Sequence, residues 1–146
     1  MPSANKTALE ELRVNVRLKL SALWASVTFC YIYCDYFELY QPGKLQSILD
    51  GRFGPLGATT QGVLLGASVF LAVPSLMIFL TMALPAKVSR FLNLVFGVVY
   101  SIVMLILLPR VWLFYQFFAA VEVVLTLSAV WLAWTWPRTS RSAERP

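Results

Sequence analysis

Residues 112–134 read WLFYQFFAAVEVVLTLSAVWLAW, a run of twenty-three positions with one charge, Glu122. A helix rises about 1.5 Å per residue, so such a run can cross a hydrocarbon core of about 30 Å. Three more apolar runs of similar length precede it, at 20–40, 62–84 and 88–108. Inside a bilayer every backbone N–H must find its partner within its own segment, which leaves helix as the reading for each run. The expected fold is all-α: an integral membrane four-helix bundle of antiparallel, up-down topology.

Composition points the same way. Of 146 residues, 59% are hydrophobic, against roughly 45–50% in soluble domains. Charged residues make up 13%, about half the usual share. Mean hydropathy is +0.71. Too few polar groups remain to cover a surface in water, so lipid is the expected surroundings. The net charge of +5 raises the question of nucleic acid. The basic residues sit at the ends of the apolar runs rather than along one face, and no nucleic-acid partner is expected.

The chain has no histidine, which excludes a His-ligated haem or His-based zinc site. Cys30 and Cys34 lie one helical turn apart in an apolar run, a poor geometry for a disulfide, and read as packing residues. Phosphate loops, nucleophile elbows and metal-ligand spacings are missing. No metal or cofactor is expected.

Short links follow from the run boundaries. Pro85-Ala86-Lys87 joins the second and third runs, and Pro109-Arg110-Val111 the third and fourth, so neighbours must be antiparallel. The first loop, 41–61, is the long one. It carries turn signals at Pro42-Gly43, Gly51, Gly54-Pro55 and Gly57, with Leu45, Ile48, Leu49 and Phe53 able to form a short interfacial helix between them. Upstream, Thr7-Ala8-Leu9-Glu10 fits a capping box. Leu9, Leu12, Val16 and Leu20 continue at helical spacing, so a short N-terminal interfacial helix running into the first span is expected. Residues 1–137 form one transmembrane domain in this reading, and 138–146 a disordered polar tail.

Basic residues give the orientation. Lys6, Arg13, Arg17, Lys19, Lys87, Arg90, Arg138, Arg141 and Arg145 fall on one side, Lys44, Arg52 and Arg110 on the other. Under the positive-inside rule both termini are cytoplasmic, in a plasma membrane (the inner membrane if the source is bacterial).

Three acids lie in or at the edge of these runs. Glu122 falls near the midplane, and Asp35 and Glu38 near the outer end of the first run. An acid at the centre of a membrane helix costs a few kcal/mol on insertion scales and is a functional candidate by default. Polar or small residues recur at steps of three and four: Ser21, Ala25, Thr28, Tyr31, Asp35 and Glu38; Gln61, Ser68 and Ser75; Asn93, Gly97, Tyr100 and Met104; Tyr115, Ala119, Glu122, Thr126 and Ala129. Turned inward, these stripes make a polar seam. The expected ligand pocket is in its outer half, lined by Tyr31, Asp35, Tyr100, Tyr115 and Glu122, with Glu38, Arg110 and Gln116 at the rim. Glu122 there can carry a proton or hydrogen-bond a ligand, or it can simply link helices. Gly62-x-x-x-Gly66 allows close helix approach, within the bundle or between copies, and Asn93 and Gly97 are further packing positions. Pro74 lacks an N–H and frees the Phe70 carbonyl, so a kink is expected.

The segment from Val14 to Trp24, the Asp35-Tyr36-Phe37 step, Pro42-Gly43-Lys44, Gly54-Pro55-Leu56-Gly57, Thr60-Gln61, Pro74 to Met77, Asn93, Phe114-Tyr115, Glu122 and Trp134 to Pro137 together resemble a family of small prokaryotic four-span membrane proteins of unknown function. The resemblance covers nearly the whole chain. It implies no activity, but it places Asp35, Gln61, Asn93, Tyr115 and Glu122 among the family's recurring polar positions. A looser likeness to DoxX-like proteins is one of architecture.

Three functions follow as expectations. The first is binding or transport of a small molecule or proton in the outer pocket. The second is a structural or accessory subunit, as a homo-oligomer or in a larger membrane complex. The third, a redox accessory enzyme, ranks last because nothing supplies a cofactor ligand.

Overall fold

The computed structural model describes residues 14–107 and 112–137. These are all-helical, with no strand among them. The order is α1 (Val16–Glu38), α2 (Lys44–Leu49), a 3-10 turn at Gly54–Leu56, α3 (Gln61–Ala83), α4 (Ala86–Leu107) and α5 (Leu113–Trp134). The long helices overlie the four apolar runs, and α2 forms where Leu45 to Leu49 suggested a short helix. Three of them, α3, α4 and α5, are long and apolar enough to cross a membrane. With 23 residues α1 is as long, but Arg17, Lys19, Asp35, Glu38 and its tyrosines dilute its hydropathy.

The start of α1 departs from expectation. A helix running without a break into the first span is not formed, because Asn15 caps α1: its backbone is extended, and its side-chain oxygen accepts the Arg17 N–H at 2.9 Å. An Asn at this position satisfies one of the orphan N–H groups of a first turn and so favours a fresh start there. The capping box at Thr7 to Glu10, the Pro109 to Val111 link and the tail from 138 lie outside the described residues.

Packing joins α1 to α3 and to α5, and α4 to α5, while α3 and α4 touch sparingly. Within each pair, contacts climb one helix as they descend the other. Arg17 reaches the Met82 carbonyl and Ser21 the Ile78 carbonyl, both at 2.9 Å, and Tyr31 faces Phe70. Arg90 donates to the Ala133 and Trp134 carbonyls at 2.9 and 3.2 Å, while Ser101 meets Thr126 at 2.7 Å. The two arginines thus serve the last carbonyls of α3 and α5, which have no partner within their own helices.

Polar groups are enclosed alongside an apolar core that includes Trp24, Val27, Met77 and Met104, and large apolar side chains face outward. Thr81, Ser89, Asn93, Ser101, Glu122 and Thr126 are buried, whereas Leu65, Phe79, Phe91, Ile106, Leu113 and Phe117 are exposed. This inverts the usual arrangement in water and is consistent with a membrane protein.

Asn93 is the hub of the buried polar groups. Its side-chain oxygen accepts the Trp24 indole N–H at 2.7 Å, and its amide donates to Thr81 Oγ1 at 3.2 Å and to the Ser89 carbonyl at 2.8 Å. Ser89 in turn donates to the Thr81 carbonyl at 3.1 Å. Three helices are tied at one residue.

The glycines divide sharply. A Cβ on Gly97 would sit 2.6 Å from Val130 Cγ2 and 3.2 Å from the Thr126 carbonyl, so this glycine is what lets α4 approach α5. Gly66 has open space around it and Gly62 nearly so. Among the described residues, no neighbouring helix comes within 4 Å of a Cβ placed at Gly62 or Gly66.

Candidate functional site

The α5 stripe appears where the spacing put it: Ala119, Glu122, Thr126 and Ala129 are buried, with Tyr115 half-buried above them. On α4 the buried set Ser89, Asn93, Gly97, Tyr100, Ser101 and Met104 contains every residue of the expected stripe. The other two helices are turned. The buried face of α1 is Leu20, Ser21, Trp24, Val27, Tyr31 and Cys34, and Asp35 is exposed. The small and polar residues of α1 mark the neighbouring face, whereas Trp24 turns inward because its indole N–H has Asn93 as a partner. On α3, Gln61, Ser68 and Ser75 are exposed and Pro74, Met77 and Thr81 are buried instead. Few residues of α3 are enclosed, so its polar side is free to face outward.

Four of the five expected pocket residues come together. Glu122 is 2% exposed and Tyr31 9%. Glu122 lies within electrostatic reach of Tyr31, Cys34, Tyr115 and, more weakly enclosed, Asp35. The Tyr31 ring stands 6.3 Å from that of Tyr100, and Phe70 stacks on Tyr100 at 4.6 Å.

Their hydrogen bonding separates them. Tyr100 donates its hydroxyl to the Phe70 carbonyl, the group that Pro74 leaves without an N–H. A phenol on α4 thus completes a proline-containing helix that continues through Pro74. By contrast, the buried Tyr31 hydroxyl has no hydrogen-bond partner among the described residues. Among the described residues the Glu122 carboxyl group makes no hydrogen bond or ion pair either. Around Glu122 the backbone is well held, since Thr126 Oγ1 donates back to its carbonyl at 2.8 Å and also meets Ser101. A buried carboxyl group and a buried phenol side by side, both unspent, can bind a small polar molecule or pass a proton, because buried polar groups otherwise find partners.

Of the expected rim residues, Glu38 and Gln116 are described. Glu38 pairs with Lys44, 2.5 Å away, because the chain turns directly from α1 into α2. Gln116 is half-buried, and Arg110 lies outside the described residues.

A separate cavity of about 480 Å³ opens between the end of α1, α2, the loop and the start of α3. Asp35, Glu38, Lys44, Arg52, Phe53 and Leu64 are among its lining. Lys44, Arg52 and Phe53 went unrecognised as site residues in the sequence. The only signal was a glycine-rich loop with mixed charge. Gly43, Gly51, Gly54 and Gly57 all take positive φ, between 48° and 82°, where a side chain is strained, and this coils the loop over the helix end. Among the described residues no group of His, Cys, Asp and Glu could hold a metal ion.

No curated protein and no solved structure matches this chain. Nothing supports a relationship to DoxX-like proteins. A family described as "Family of unknown function (DUF6326)" matches residues 9–143, nearly the full length, and the chain therefore belongs to that family.

Proposed function

We propose that this is a multi-pass plasma-membrane protein whose four long helices form an antiparallel bundle with both termini cytoplasmic, and that it binds or transports a proton or small polar molecule at Glu122 and Tyr31. The observation that carries this reading is the buried Tyr31 hydroxyl on α1, which has no hydrogen-bond partner among the described residues, within electrostatic reach of the enclosed Glu122 on α5. An acid in a membrane core is costly, and a purely structural acid would be bonded to a neighbouring helix as Asn93 is.

The experiment is proton flux into liposomes containing the full-length chain and an internal pH reporter. Collapse of an imposed gradient that Glu122→Gln slows by about tenfold or more supports the reading. Equal rates in wild type and variant overturn the proton arm. A density map with Glu122 sealed and empty beside Tyr31 overturns the small-molecule arm.

One observation favours a second reading, a structural or accessory subunit of a larger complex. Only Pro74, Met77 and Thr81 of α3 are buried, and Gly62 and Gly66 lie uncovered on it. Under that reading Gly66→Leu releases a co-purifying partner, and Glu122→Gln has no effect.

A further inference from the structure

The cavity at the end of α1 has a chemistry of its own. Two carboxylates, Asp35 and Glu38, and two cations, Lys44 and Arg52, line it, so its charge balances. Glu38 and Lys44 neutralise one another. Asp35 and Arg52 remain, each without an ion pair among the described residues. The cavity therefore offers one unspent anion and one unspent cation. Its other walls include Leu39, Ile48, Phe53 and Leu64.

The loop that carries Arg52 is a built structure. The Arg52 N–H donates to the Ser47 carbonyl at 2.9 Å, Thr59 N–H to the Gly51 carbonyl at 2.7 Å, and Phe53 N–H to the Gly57 carbonyl at 2.7 Å. These bonds and the four positive-φ glycines fix where Arg52 stands. The surroundings are oily: Leu45, Leu49 and Leu56 are exposed by 59%, 80% and 59%. A charged recess with Leu39, Ile48, Phe53 and Leu64 in its walls suits a molecule with a charged head and an aliphatic body. A volume of about 480 Å³ falls in the range of roughly 300–1,000 Å³ that small-molecule sites occupy.

The geometry points to a binding site for a zwitterionic amphiphile, one that presents a primary ammonium to Asp35 and a phosphate or carboxylate to Arg52 while its aliphatic part lies against Ile48, Phe53 and Leu64. Arginine suits the anionic group because its planar fork matches phosphate and carboxylate oxygens. Asp35 suits an ammonium with N–H donors over a methylated one, which has none to give. This site stands apart from the Glu122 and Tyr31 pair. It goes beyond the reading given for that pair and does not depend on it.

The test uses purified full-length chain in detergent, with dihexanoyl phosphatidylethanolamine as probe and thermal stabilisation and native mass spectrometry as readouts. Phosphatidylcholine and phosphatidylglycerol of the same chain length remove the ammonium donors and the ammonium itself. O-phosphoethanolamine supplies the head group without chains, so it distinguishes a lipid from a free zwitterion. The ethanolamine lipid is expected to bind about tenfold more tightly than either of the other two lipids. Asp35→Asn should abolish that preference, and Arg52→Gln should weaken all three lipids. Binding of O-phosphoethanolamine alone as tightly as the lipid assigns the site to a soluble zwitterion and keeps the two charged contacts. Equal affinity for all three lipids, or a preference that survives in Asp35→Asn, overturns the proposal. Circular dichroism and elution volume verify that each variant is folded, and Asp35→Glu, which keeps the charge, should retain the preference.

Discussion

Two buried polar regions of this molecule, one at Asn93 and one at Glu122, are built from similar residues and treated differently. At Asn93 every strong donor has an acceptor: the Trp24 indole, the Asn93 amide and the Ser89 hydroxyl all find partners on neighbouring helices. At Glu122 the carboxyl group and the Tyr31 hydroxyl face one another's neighbourhood without a bond among the described residues. In a medium that offers no water, satisfied groups hold helices together and unsatisfied ones cost stability. The contrast separates residues that keep the fold from residues kept for another reason.

Substitutions can break or sharpen that contrast. Asn93→Leu should have the largest effect, because it strands the Trp24 N–H and the Thr81 hydroxyl together. A loss of about 2–3 kcal/mol is expected in unfolding titrations in mixed micelles. A loss under half a kcal/mol would mean that the Asn93 network is decoration. Tyr100→Phe comes next, at about 1 kcal/mol, since it leaves the Phe70 carbonyl unpaired. Its partner test is Pro74→Ala, which restores a backbone N–H to that carbonyl. The double variant should therefore lose less than Tyr100→Phe alone, and simple additivity would show that the phenol does not serve the proline. Smallest is Glu122→Gln, expected within about 0.5 kcal/mol of the parent in the same titration. A larger loss would move Glu122 into the same class as Asn93.

The sequence made some of this legible and hid the rest for identifiable reasons. Helix positions were readable because twenty-odd apolar residues leave the backbone one option. Asn93, Gly97, Tyr100, Glu122 and Thr126 were readable because α4 and α5 each concentrate small and polar residues on a single face. On α1 the pattern was ambiguous by one residue. Asp35 and Cys34 are adjacent, and contacts far along the chain, such as the Trp24 bond to Asn93, 69 positions away, set the rotation of the helix. That contact has no local signature. The α2 cavity was hidden for a related reason, since Asp35, Arg52 and Leu64 meet only after four glycines turn the chain back on itself. The link from Pro74 to Tyr100 was half visible: the freed carbonyl could be named, but not the residue that would answer it.

Arg17 and Arg90 carry a consequence for assembly. Each is a latch whose catch is made much later in the chain: Met82 for Arg17, 65 residues on, and Ala133 with Trp134 for Arg90. In a chain synthesised from its N-terminus, the first latch stays open until α3 is complete, and the second until α5 is. The last turn synthesised in α5 is thus also the one that fastens it to α4, and a nascent chain halted before Ala133 lacks the carbonyls that Arg90 holds.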